Sequence, residues 1–474
     1  MSRAEPSVDR NDLQALVRGF RKQWTWGRYY YVGIQSDEGD GRAAADARSF
    51  LCKVAPKLTS WQSLEVKPPH TAWNVAFSFN GLRRLGLRSD ALQSFPADFR
   101  AGMVERAPAN GDVGASAPEH WPEYWRRNKV DCVLAVYATQ ERHRDAADAW
   151  FRDTIAEHPL IEILDTQAVR RFMKSDELDL SIERHQGQAQ AGAVLEHFGF
   201  RDGVSQPVYA GLDARYLSGG GSYREKTGWR PLATGELLLG YPDEAGEMPL
   251  APAPATLAHN GTFMVLRKMR QNVDEFRRYL TAHAQGLDGV DADLISELMV
   301  GRKRDGTSLM TDRSLNDFTY ADDPTGSRCP LGSHARRANP RDTMGFDTVL
   351  VDRHRILRRA ITYGEPVPRG CAEKDINGEA GQGLLFIALN ASITRQFEFV
   401  QQEWINFGND LGAGDDRDPL IGVQGGSGQF IAPGDGSRPA LVCAQMPDFV
   451  VTEGGEYLFL PGIMALKRIL AGEY

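Results

Sequence analysis

The chain of 474 residues is 42% hydrophobic and 25% charged, the composition of a soluble globular protein with length for two or three domains. Its 55 Lys+Arg stand against 63 Asp+Glu, a formal charge of −8 that disfavours general binding to nucleic acid or to an anionic membrane. No apolar run approaches the ~20 residues of a membrane span. The first ten residues carry neither an apolar signal core nor a twin-arginine pair, which predicts a cytoplasmic protein. Five widely spaced cysteines (Cys52, Cys132, Cys329, Cys371, Cys443) include no C-x-x-C pair and so write no zinc ribbon or thioredoxin-type site.

In chain order, residues 71–79 (TAWNVAFSF) read as a strand running into a short helix. Residues 130–138 (VDCVLAVYA) read as a second strand. A helix follows at about 143–158, where Ala147, Trp150, Phe151, Thr154 and Ile155 share one face of a 3.6-residue period. The second half repeats this grammar. Residues 261–266 (GTFMVL) precede a helix through Val273, Phe276, Tyr279 and Leu280. Residues 384–389 (LLFIAL) precede one through Ile393, Phe397, Val400 and Trp404. No G-x-G-x-x-G marks a strand-to-helix turn, so a duplicated α+β architecture fits better than a parallel dinucleotide-binding sheet.

Long Gly-, Pro-, Ser- and Asp-rich stretches at 108–122, 217–228, 241–260, 375–383 and 411–439 predict functional or mobile loops. The seam between halves falls within 207–240. The C-terminal residues 463–474 read as a packed amphipathic segment. The glycosylation patterns at Asn260 and Asn390 read as chance matches.

Three segments carry candidate chemistry. Gly199-Phe-Arg-Asp202-Gly203 sets an aspartate between glycines that permit a tight turn; alone, it would read first as a solvated turn. Cys329-Pro-Leu-Gly-Ser-His334-Ala-Arg-Arg-Ala-Asn-Pro-Arg341 places one histidine within seven residues of three arginines. A lone histidine is more often structural than a ligand, but arginines nearby suit an anionic cofactor. Asp352-Arg-His354-Arg-Ile-Leu-Arg358-Arg359 continues to Tyr363-Gly364. From Arg328 to Arg359 there are eight arginines and three aspartates, a local +5 in an acidic chain. Such a run reads either as a solvated face or as an anion-binding wall.

In this order the three segments resemble the dye-decolorizing (DyP-type) peroxidases. The runs from Leu315 to Asp323, from Gly383 to Gln401 and from Asn80 to Gly86 are also similar to family sequence, so the likeness extends from about residue 25 to the C-terminus. It implies two ferredoxin-like α+β halves with antiparallel sheets and peripheral helices. Residues 1–215 would form the half carrying the distal aspartate, and 216–474 the half carrying the proximal histidine and most of a haem pocket. A non-covalent haem b is implied, since no C-x-x-C-H attachment site is present.

Carried over residue by residue, the resemblance makes His334 the iron ligand. Asp202 becomes the distal acid–base group and Arg358 the distal arginine, while Arg336, Arg337 and Arg341 are candidate haem-propionate partners. It implies reduction of hydrogen peroxide at the expense of dyes, phenolics or other small one-electron donors. Neither nucleic acid nor membrane is an expected partner, and a homo-oligomer is left open. An aspartate base, ionising near ~3.9 when unperturbed, predicts activity at acid pH where a histidine (~6.5) is protonated. Residues 386–393 depart from the family by lacking a carboxylate to support the histidine's second nitrogen, leaving a carbonyl, a water or another acid for that contact. Nine Trp and fourteen Tyr offer candidates for an aromatic relay to bulky dyes, Tyr363 among them. A haem carrier without turnover and a cargo or assembly protein are the competing functions.

Overall fold

A computed structural model describes residues 7–20, 23–35, 41–173, 194–212, 217–310, 319–365, 381–436 and 438–474. In the first part, β1 (Trp26–Ile34), β2 (Thr71–Phe77), β3 (Cys132–Ala138) and β4 (Ile161–Arg170) pair antiparallel in the order β4-β1-β3-β2. Helix Arg42–Val54 follows β1 and helix Glu141–Ala156 follows β3. This is the βαββαβ winding of a ferredoxin-like unit. β3 is buried at every position, as its unbroken apolar run requires of a central strand. Helix Glu141–Ala156 buries Ala147, Phe151, Thr154 and Ile155, the face its periodicity predicts.

Two short ribbons come next: β5 (Phe172–Met173) with β6 (Val194–Leu195), and β7 (Ser222–Arg224) with β8 (Gly228–Arg230). The winding then repeats with β9 (Thr262–Gln271), β10 (Leu357–Arg358) and β11 (Ile361–Tyr363), β12 (Gly383–Asn390), the hairpin β13 (Gly428–Ala432) and β14 (Leu441–Met446), and β15 (Val450–Leu460). Here β15 pairs β9, β9 pairs β12, and β12 pairs both β10 and β11, all antiparallel. The order is that of the first unit. The two units join through Phe459↔Phe77, between β15 and β2. At the other edge Thr362 on β11 donates a hydrogen bond to the Arg170 carbonyl on β4, so both ends of the nine-stranded sheet turn towards each other. The architecture is α+β with two ferredoxin-like halves.

Helix Val273–Ala284 buries Val273, Phe276, Tyr279 and Leu280, the predicted stripe. The segment after β12 differs from expectation. Its residues 393–398 and 400–405 wind as π-helix, although Ile393, Phe397, Val400 and Trp404 are buried as predicted. Gln396 accounts for part of this, because its amide donates to the carbonyls of Glu236 (2.8 Å) and Arg355 (2.6 Å). The wider turn brings Phe397, Val400, Gln401, Trp404 and Ile405 to one cavity wall.

Helix Ile463–Ala471 packs through Ala465, Leu466 and Ile469. Asn260 and Asn390 are buried. Cys132, Cys329 and Cys443 are buried and unpaired and Cys52 is exposed, while Cys371 lies outside the described residues. Among the described residues no helix is long and apolar enough to cross a membrane.

Candidate active site

Asp202, His334 and Arg358, separated by 132 and 24 residues in the chain, line one cavity of about 290 Å³. Met269, Val300, Leu384, Phe386, Phe397 and Ile421 supply apolar wall, the usual setting for a small-molecule or cofactor site with a few convergent polar groups.

His334 opens a single helical turn, His334–Ala338. Its Nδ1 lies 2.9 Å from Asp418 Oδ2, and Asp418 is completely buried. A carboxylate only accepts, so Nδ1 carries the proton and Nε2 keeps the lone pair that a metal takes. Asp418 Oδ1 accepts the backbone N–H of Leu420 (2.9 Å) and Ile421 (3.0 Å). Burial pushes the Asp418 carboxyl up, but its pairing with His334, joined by the Arg337 charge, outweighs it and holds the group below its ordinary value. The supporting acid that residues 386–393 lack thus comes from a loop near the C-terminus. Its signal in the sequence is an Asx turn at Asp418-Pro419 within the Gly/Asp-rich stretch.

Asp202 and Arg358 form an ion pair through Oδ1 and Nη2. Arg358 sits on β10, and its backbone N–H donates to Gln206 Oε1 (2.9 Å), which ties the strand to the Asp202 loop. That loop packs on the second half, since Phe198 and Phe200 join Val273, Phe276 and Leu280 in one apolar cluster. Arg359, next in the chain, turns the other way. Its guanidinium donates to the carbonyls of Leu16 (3.2 Å), Val17 (2.8 Å) and Arg18 (3.0 Å) at the end of helix Ala15–Arg18.

The candidate propionate partners separate. Arg341 lines the cavity, beside a hydrogen bond from Nη2 to Ser205 Oγ; both residues hold left-handed backbone (φ +50° and +62°), strain of the sort that collects at functional sites. Arg336 does not line it: the fully buried guanidinium pairs with Asp323 (3.2 Å) and donates to the carbonyls of Cys329 (2.7 Å) and Asp323 (2.9 Å). Arg337 is likewise off the cavity, donating to the carbonyls of Trp404 (2.7 Å) and Asp416 (2.8 Å). Arg355, from the arginine-rich run, and Arg302, which the sequence did not suggest, both line the cavity. Burial, followed by the neighbouring Arg341 charge, pushes Arg302 down to about 9 and Arg355 to about 10. Arg355 Nη1 is buried without a partner. Three guanidinium groups crowded on a desolvated wall fit a dianionic ligand, and the apolar remainder fits a flat macrocycle; the residues present suit haem.

A second histidine, His354, also lines the cavity. Its Nδ1 donates to the Arg395 carbonyl (2.6 Å), and its ring stacks on Phe399 at 3.8 Å. Tyr363 is buried, so it is not a surface relay. Of the family-like run 315–323, residues 315–318 lie outside the described residues. Tyr320 lies beneath the Arg336 guanidinium at 4.5 Å, and Asp323 clamps Arg336.

Known proteins share both halves of this sequence and its fold. Residues 46–171 match the model of the DyP dimeric alpha+beta barrel domain, and 247–436 match that of the Dyp-type peroxidase C-terminal domain. The chain is 30% identical over 466 residues to dye-decolorizing peroxidase msp1 of Mycetinis scorodonius, covering 90% of this chain and 83% of that protein. It is 30% identical to multifunctional dye peroxidase DyP2 of an Amycolatopsis species, over 90% of each. A fungal DyP-type peroxidase from Auricularia auricula-judae superposes with a TM-score of 0.77 at 24% identity, over 98% of this chain and all of that one. The chain belongs to the dye-decolorizing peroxidase family and is a haem-dependent peroxidase.

Proposed function

We propose that His334 Nε2 would ligate the iron of a haem b, that Arg341, Arg302 and Arg355 would receive its carboxylates, and that Asp202 and Arg358 are the catalytic residues for hydrogen peroxide. The observation that carries this reading is one cavity bounded both by an imidazole whose far nitrogen is fixed by a buried carboxylate and by an Asp–Arg pair. When bound, the haem supplies the iron at which peroxide is reduced and stores the oxidising equivalents passed on to a donor.

Asp202, paired with Arg358, accepts the proton from the near oxygen of peroxide and delivers it to the far oxygen, which departs as water. Arg358 stabilises the negative charge that builds on the departing oxygen, from a position already fixed by Gln206. Asp418 keeps His334 in the tautomer that presents Nε2 and makes the ring a stronger donor. The apolar wall excludes bulk water and strengthens each of these interactions.

Small one-electron donors, phenols and dyes among them, are the reducing substrates this reading supports. Relatives are named for dye decolorization, and one related structure, 25% identical, is a complex with 2,6-dimethoxyphenol. Residence in the cytoplasm suits the four described cysteines, all unpaired. Mixing the haem-loaded protein with one equivalent of peroxide tests the assignment. A rapid change in the haem spectrum, reversed by a phenolic donor and slowed at least a hundredfold in D202N, is expected. An unchanged spectrum would favour the haem carrier.

A further inference from the structure

Behind Asp202 lies a second carboxyl group that the reaction as described does not use. Glu196 lines the same cavity and is half-buried. Its side chain sits inside the turn that leads to Asp202. Oε1 accepts the Phe200 backbone N–H (2.8 Å), and Oε2 accepts the Phe198 backbone N–H (2.9 Å) and the Gln271 amide N–H (2.6 Å). The backbone closes the same turn from outside. Glu196 N–H donates to the Phe200 carbonyl (3.0 Å), and Gly199 N–H, at φ +91°, donates to the Glu196 carbonyl (2.9 Å). Two residues later the Asp202 N–H donates to the Val194 carbonyl (2.9 Å). The chain from 194 to 202 is therefore wound round one carboxylate, and Gln271 bolts that carboxylate to β9.

We infer that Glu196 is a positioning residue for peroxide cleavage: by collecting three N–H donors it sets where the loop holds the Asp202 carboxylate against Arg358. The inference rests on the assignment of Asp202 as the base. The chemistry is specific to a carboxylate. Two backbone N–H groups and one amide N–H converge, all of them donors, and only a group with acceptors on both atoms satisfies them. Glutamine has the same shape but must aim its own NH₂ at one of the backbone N–H groups, so E196Q opens the turn while leaving volume unchanged. Because the proton transfer depends on sub-ångström placement, this displacement should slow the peroxide step by about tenfold to a hundredfold. Transfer of electrons from donor, which does not use Asp202, should keep its rate.

Three measurements on the haem-loaded protein test this: the second-order rate with peroxide, the rate of reduction by a phenol after one equivalent of peroxide, and hydrogen–deuterium exchange over residues 194–206. D202N serves as reference. The expected result for E196Q is a fall in the peroxide rate alone, less severe than in D202N, with faster exchange confined to 194–206. A peroxide rate within twofold of the parent, with D202N still severely impaired, overturns the role of Glu196 and leaves Asp202 as base. Loss of both rates together, or faster exchange throughout the second half, overturns it in favour of a merely structural role. If D202N keeps its peroxide rate, the assignment of Asp202 fails and this inference with it. Should E196Q not fold, Q271M decides: a selective fall of about threefold or more supports the inference, since one of three charge-assisted bonds is lost, and an unchanged rate overturns it.

Discussion

His334 Nδ1 and Asp418 Oδ2 lie 2.9 Å apart across 84 residues of chain, with the carboxylate fully buried. An acid at that nitrogen makes the imidazole more electron-donating and favours the oxidised metal. In D418N the haem reduction potential should therefore rise, and peroxide turnover should fall by about 10–100-fold. Spectroelectrochemical titration of the two proteins measures the first effect. An unmoved or lowered potential would show that the carboxylate does not act on the iron through His334.

The distal pair makes a second prediction. D202N removes the base and should cost about 10²–10⁴ in the rate with peroxide. R358L removes one preorganised charge and should cost about 10²–10³. Single-mixing stopped flow reports both. Because Asp202 and Arg358 are ion-paired, their losses should not add in the double variant, and strictly additive losses would place them in separate steps.

The arginines divide into those facing the cavity and those built into the protein. R355M should weaken haem retention with little effect on the stability of the haem-free protein. R336M should do the reverse, because it strands the buried Asp323 carboxylate, a loss of about 3–5 kcal/mol. Haem transfer to apomyoglobin and chemical denaturation of the apoprotein separate the two. The account is contradicted if R336M loses haem while its apoprotein is as stable as the parent.

A pH dependence of stability follows from His197. Its Nε2 donates to the Tyr363 carbonyl at 2.7 Å, and burial pushes it down to about 4. Between about pH 6.5 and 4 the unfolded chain binds a proton here that the folded chain refuses. This contribution is therefore intact above 6.5 and lost as the pH falls through that window, by about 3 kcal/mol at most. Asp131 and Glu456, raised by burial to about 6 and about 7, act in the opposite sense: their contribution is present at low pH and lost as the pH rises through those values. H197Q keeps a donor to Tyr363 without a titrating ring. Thermal melts from pH 7 to 4 should fall less steeply in H197Q than in the parent; equal slopes would remove His197 from the account.

The helix Val273–Ala284 is legible from its apolar residues at a fixed period, and strands β2, β3, β9 and β12 from short, largely apolar runs that suit strands buried on both faces. Strands β1, β4 and β15 are not legible in the sequence, since their partners are distant along the chain and strand preference depends on what lies alongside. Arg336 shows what motif proximity conceals. On a helix it lies about 200° round from His334, so the residue two places on faces away from the cavity. Arg341, past the helix end, is free of that geometry and reaches the cavity. Asp418, Arg302 and Glu196 act on the site through chain folding alone, which brings them beside His334, Arg341 and Asp202.

The central claim is that His334, rather than the other cavity histidine, His354, binds the iron. Haem titrated into the H334A and H354A apoproteins, followed by the absorption and resonance Raman signature of an iron–imidazole bond, tests it most directly. The account predicts that H334A loses that signature, and regains it with added imidazole, while H354A keeps it. An imidazole-ligated iron persisting in H334A but absent from H354A would contradict it.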